Sequence, residues 1–153
     1  MRSLILLLLL APSIWAAEGR VVKVLPEFFD SKGRHSLSPS LYERDAYQVI
    51  LRKDRSKRAG LGLEVQWKAK NVDWNNLKLR AEIRGLDGDT IRNVTIEEPA
   101  IKAGLFGNWA ELKIDRAEYA SFGELVAWRV TLWEGEHQLG ELQSFLWSGV
   151  TAR

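Results

Sequence analysis

Residues 61–70 read Leu-Gly-Leu-Glu-Val-Gln-Trp-Lys-Ala-Lys. Leu61, Leu63, Val65, Trp67 and Ala69 take the odd positions, and Gly62, Glu64, Gln66, Lys68 and Lys70 the even ones. A helix scatters such a set around its circumference. An extended chain sends successive side chains to opposite faces, so the stretch predicts a strand with one buried face and one wet face. Leu77 to Arg84 repeats the rhythm, with Leu77, Leu79, Ala81 and Ile83 on one side and Lys78, Arg80, Glu82 and Arg84 on the other.

The neighbouring segments extend the pattern. Gly85-Leu-Asp-Gly-Asp89 carries an Asp-Gly hairpin signal. Thr90 to Glu97 is expected as the returning strand, ended by Pro99. Ile91, Val94 and Ile96 do not keep one parity, which predicts a bulge near Asn93. Trp109 to Asp115 is a further strand, with Ala110, Leu112 and Ile114 on one face. Leu125 to Trp133 and Gln138 to Trp147 form a hairpin around Glu134-Gly135-Glu136. A three-residue loop there pairs Arg129 with Glu141, and a two-residue loop pairs Leu132 with Leu139; the first supplies Arg129 with a partner. Arg20 to Leu25 and Asp45 to Lys53 read as strands, and Phe28 to Leu41 as a long connection. Short strands between turns, with no convincing amphipathic helix, predict an all-β fold. It is expected as a single antiparallel two-sheet sandwich of about seven or eight strands.

The order of these segments resembles an immunoglobulin-like or fibronectin type III-like sandwich over residues 61–147: the Trp67 strand, the 77–84 strand, then the 109–115 strand leading through Glu118-Tyr119-Ala-Ser-Phe-Gly123 into the last hairpin. The resemblance implies an immunoglobulin-like architecture and places Tyr119 near a corner tyrosine whose hydroxyl bonds backbone. It is also similar to small exported bacterial β-sandwich proteins of unassigned function. It implies no catalytic residue, and a fold of this kind does not specify an activity.

Met1-Arg2-Ser3, the apolar run Leu4 to Ala11, the break at Pro12-Ser13 and the small residues Ala16-Ala17 follow the order of a secretory signal peptide. Residues 1–17 are therefore expected as the signal peptide and 18–153 as the sandwich domain, exported to the periplasm or secreted. The apolar run is about half the ~20 residues a spanning helix needs, so no transmembrane span is expected. Removing Arg2 leaves 21 basic and 20 acidic side chains, close to neutral, which is unlike the basic balance of a nucleic-acid binder. The absence of cysteine excludes disulfides, thiolate metal sites and a cysteine nucleophile.

Six of the seven tryptophans lie beyond the leader. Trp67 and Trp128 alternate with aliphatic neighbours and are expected in the core. Trp133 and Trp147 fall at strand ends. Trp109 lies opposite Ala110, Leu112 and Ile114, the position where most exposure is expected. Trp109, Trp133 and Trp147 are therefore the candidate ligand-binding residues. Arg52-Lys-Asp-Arg-Ser-Lys-Arg58 is expected as a hairpin tip whose Arg55, Lys57 and Arg58 form a candidate contact for an anionic surface. His35 and His137 are 102 positions apart. No serine elbow, metal-ligand cluster or phosphate loop accompanies them, so no catalytic residue, metal or cofactor is expected. These features predict a non-catalytic interaction or structural module whose partner is a protein or envelope component. A carbohydrate-binding module stacking sugars on exposed tryptophans is the alternative.

Overall fold

The computed structural model describes residues 16–102 and 107–148. All but two residues of the expected signal peptide lie outside that range. Seven strands form two antiparallel sheets: β1 (Glu18–Phe29), β2 (Gly60–Lys70), β3 (Leu77–Asp87), β4 (Thr90–Pro99), β5 (Asn108–Lys113), β6 (Glu124–Glu134) and β7 (His137–Gln143). One sheet has the order β1-β2-β5 and the other β4-β3-β6-β7. Two helices complete the fold, α1 (Leu41–Lys53) and the single turn α2 (Arg116–Tyr119).

The alternating faces meet in the core. Val21, Val24, Phe28, Leu61, Leu63, Val65, Trp67 and Leu112 come from the three-stranded sheet, and Leu77, Leu79, Ala81, Ile83, Val94, Val130 and Leu132 from the four-stranded one. Trp67 is fully buried and lies 6.1 Å from the Trp74 ring, which covers it from the connection before β3. Its indole N–H has no hydrogen-bond partner among the described residues, although a buried indole ordinarily finds one. Trp128 packs against this core only partly buried.

Asp45 to Lys53, expected as a strand, is the body of α1. The overriding signal is a spacing of three and four. Arg44, Tyr47, Gln48 and Leu51 lie on the covered side, while Asp45, Ala46, Val49 and Ile50 are exposed. That is one helical face. Ser40-Leu-Tyr-Glu43 matches a capping-box sequence, and the Arg44 amide donates to the Ser40 carbonyl at 2.9 Å, although the Ser40 side chain makes no cap bond. Arg52 and Lys53 occupy the last turn, where cations suit the helix dipole. Residues 52–58 are consequently no hairpin tip. They close α1 and run through a 3-10 turn at Arg55–Lys57 into β2, whose hairpin-like partner is β1.

Two registers also differ from expectation. β4 pairs β3 without a shift; Ile91 breaks parity because it stands on the outer face opposite Leu86, not through a bulge at Asn93. In the last hairpin Glu134 pairs with His137 across Gly135-Glu136, and Gly135 has a φ of 56°, the conformation a two-residue turn of this kind demands. A register shift follows, because Leu139 is an extra residue. Leu132 opposes Gly140, Thr131 opposes Glu141 and Arg129 opposes Gln143. The bulge seats glycine where β7 touches the other sheet. A Cβ at Gly140 would lie 2.7 Å from the Gly19 carbonyl oxygen of β1.

The helix assignment has a direct test. Leu51 and Val49 share a side in a strand and oppose each other in α1. Leu51→Ala is expected to cost about 2–5 kcal/mol in urea-denaturation free energy, and Val49→Ala less than about 0.5 kcal/mol, as at a surface site. Equal losses favour a strand.

Candidate functional site

The outer face of the four-stranded sheet gathers most of the chemistry. β3 presents Lys78, Arg80, Glu82 and Arg84; β6 presents Arg129, Thr131 and Trp133 beside them. Glu97 on β4 pairs with Arg80 and lies 3.6 Å from Lys78. The Arg80 bond, with the cations beside it, holds the Glu97 carboxyl below the usual range. Arg129 grips Glu82 at 2.6 and 2.8 Å, so its partner is on β3 and not on β7. The Trp133 indole donates to the Thr131 hydroxyl at 2.7 Å, with the Arg80 guanidinium 5.2 Å from its ring centroid.

Trp147 reaches this face from beyond β7. The Ser144 hydroxyl accepts from the Trp128 amide at 3.0 Å, the Ser144 amide donates to the Trp128 carbonyl at 2.9 Å, and a turn from Ser144 to Trp147 folds the chain back. The indole then lies with the Arg84 guanidinium at 3.8 Å and the Arg129 guanidinium at 5.0 Å from its centroid, and Arg84 donates to the Trp147 carbonyl at 2.9 Å. Each such contact is worth roughly 0.5–1 kcal/mol at an exposed site. The structure thus brings Trp133 and Trp147 onto one face. It leaves Trp109 apart, on β5 of the other sheet opposite Gln66, and 38% exposed.

The anionic-surface candidates are each engaged with an acid. Lys57 reaches Asp54 at 3.4 Å, and Arg55 reaches Glu124 at 3.5 Å. Arg58 is built into the fold: its side chain is 6% exposed, sits 4.3 Å over the Phe28 ring and meets Glu124 at 2.6 Å. It also donates to the Leu51 and Arg52 carbonyls, closing the end of α1. Tyr119 is buried against this arginine.

A second polar cluster, unmarked by any motif, ties α1 to β1. The Gln48 side chain accepts from the Phe28 amide at 2.9 Å and donates to the Phe28 carbonyl at 2.9 Å and the His35 carbonyl at 2.8 Å. One side-chain amide thereby completes the free edge of β1 as a neighbouring strand does. Buried Glu27 lies 3.2 Å from His35 Nδ1 and 3.6 Å from Arg44, which also reaches Glu64 at 3.4 Å. Burial raises the Glu27 carboxyl above its usual value against the pull of His35. Ser36 spends its hydroxyl on the Ser38 carbonyl at 2.5 Å.

Asp30 anchors the loop between them. It accepts from the Lys32 amide at 2.8 Å, the Arg34 amide at 2.9 Å, the Arg34 guanidinium at 2.8 Å and the Tyr47 hydroxyl at 2.8 Å. Burial alone pushes this carboxyl up, but those donors hold it far below the usual aspartate range. The 44/47/48/51 spacing was the legible trace of these residues.

No family model, curated protein or solved structure matches the chain.

Asp30 contributes stability above its unfolded value of 3.8, and that contribution is lost as pH falls through the depressed folded value. Asp30→Asn is expected to lower the unfolding free energy near neutral pH by about 1.5–3 kcal/mol, the range for hydrogen bonds to a charged group. In urea titrations the gap to the parent chain should narrow below pH 3.8. A gap independent of pH contradicts the role given to the carboxylate.

Proposed function

We propose that the chain is an exported, non-catalytic sandwich of the immunoglobulin-like or fibronectin type III-like kind, serving as an interaction or structural module in the periplasm or outside the cell. Its contacts come from loops or a sheet edge. The observation that carries this reading is the use made of the indoles. Sugar stacking needs bare aromatic faces aligned on one surface. Trp133 has Arg80 against its ring, Trp147 has Arg84 and Arg129, and Trp109 belongs to the other sheet. Trp133 and Trp147 are spent on holding the outer face of the four-stranded sheet together.

Strand order supports the architectural part. An immunoglobulin constant-type sandwich sets strands one, two, five and four against three, six and seven. Here β1-β2-β5 faces β4-β3-β6-β7, so only the fourth strand has changed sheets, staying with its hairpin partner β3. The alternative, a carbohydrate-binding module, is favoured by the placement of Trp133 and Trp147 on one face. Among the described residues no helix is long and apolar enough to cross a membrane.

Expression of the full sequence is expected to give a mature chain in the periplasm or medium whose mass corresponds to a start at Ala17 or Glu18. Its tryptophan emission is expected to stay unmoved by a panel of soluble oligosaccharides. An intact, unprocessed chain in the cell interior overturns export. A saturable emission shift abolished by Trp133→Ala or Trp147→Ala replaces the interaction reading with the carbohydrate one.

A further inference from the structure

The four sheet edges are not equally closed. β1 is covered by Gln48 and Arg52 of α1 at one end and touches β7 at Gly19 and Gly140. β5 has six residues. β4 offers ten residues, Thr90–Pro99, paired on one side alone among the described residues.

Its hydrogen-bonding parity follows from the ladder. β3 and β4 are joined by the two-residue loop Gly88-Asp89, so the closing pair Asp87 and Thr90 exchanges hydrogen bonds. The Ala100 amide donates to the Leu77 carbonyl at 3.0 Å, which continues the same parity at the far end. Even-numbered residues of β4 therefore bond to β3. The N–H and C=O groups of Ile91, Asn93, Thr95 and Glu97 point outward, and Pro99, lacking an N–H, falls on the same outward parity, where an edge tolerates it. An edge with this row of unpaired groups is a template for another strand.

We propose that β4 pairs antiparallel with β4 of a second copy of this chain, about a two-fold axis at Thr95. In this register Thr95 faces Thr95 and Asn93 faces Glu97 through outward-pointing backbone groups. Val94 faces Ile96, continuing the apolar inner side. Arg92 faces Glu98, twice over by symmetry. Arg92 and Glu98 are both exposed, share the inner-side parity and have no ion-pair partner among the described residues. They fall on pairs without backbone bonds, where side chains approach most closely. Charge selects this register over the neighbouring one centred on Val94, which sets Arg92 opposite Ile96 and Glu98 opposite Thr90. The result is one eight-stranded sheet across two molecules, an isologous interface. This association goes beyond the function proposed above and does not depend on export or on any further partner.

Charge reversal tests it on the protein purified from the full sequence. Sedimentation equilibrium is expected to show a concentration-dependent dimer. Arg92→Glu and Glu98→Arg are each expected to weaken it about tenfold or more, since each sets like charges opposite across the axis. Their equimolar mixture restores dimer, because every Glu then meets an Arg. Both positions are exposed, and circular dichroism is expected to report an unchanged fold. A parent chain that is monomeric up to about millimolar concentration overturns the proposal. So does a dimer indifferent to both reversals, or a mixture no tighter than its components.

Discussion

Everything in this molecule depends on closing two one-sided sheets over each other without a covalent staple. The chain has no cysteine, so the buried apolar face is the main source of stability. At roughly 25 cal/mol per Å² of apolar area, alternation repeated along several strands supplies that driving force. The two sheets are unequal, three strands against four, and the mismatch leaves an end and an edge to be sealed. Leu51 of α1 fills the end with a fully buried side chain, and Gln48 supplies the edge of β1 with both a donor and an acceptor. Where β1 instead approaches β7, Gly140 lets the two backbones come together and Gly19 leaves room for the Leu132 and Leu139 side chains.

Strands β2 and β3 were legible because each alternates cleanly, and a period of two admits one reading; β6, with apolar groups on both faces, was legible from the turn that joins it to β7. α1 was not, because its residues 45–53 mix β-branched and charged groups whose exposed members include Val49 and Ile50. Apolar groups on the wet side of a helix blur its period; the spacing from Arg44 to Leu51 was the finer signal. The last hairpin hid its register for a different reason. A single inserted residue, Leu139, changes every pairing beyond it, and insertion is decided by contact with β1, far away in sequence. The site was legible only as residue types. That Trp133 and Trp147 would share a face with arginines depended on which strands adjoin, and on a turn at Ser144 that no pattern announces.

Charge on this protein is used mostly for construction. Arg80, Arg84 and Arg129 lace the outer sheet face through carboxylates and indoles, Arg58 closes a helix, and Asp30 gathers a loop. Surface ion pairs contribute little individually, about 0–1 kcal/mol, but networks that also hold aromatic rings fix geometry. Arg92 and Glu98, on the edge strand β4, have no ion-pair partner among the described residues, and they are the charges that the proposed pairing of two copies uses.

A side-chain amide on α1 completes the edge of β1 and so seals the sandwich. Residue-resolved amide hydrogen exchange tests it directly at Phe28. Its N–H should exchange as slowly as those of the buried β2 residues Leu63 and Val65, and should become fast in Gln48→Leu. Rapid exchange at Phe28 in the parent chain, with Leu63 and Val65 still protected, contradicts the account.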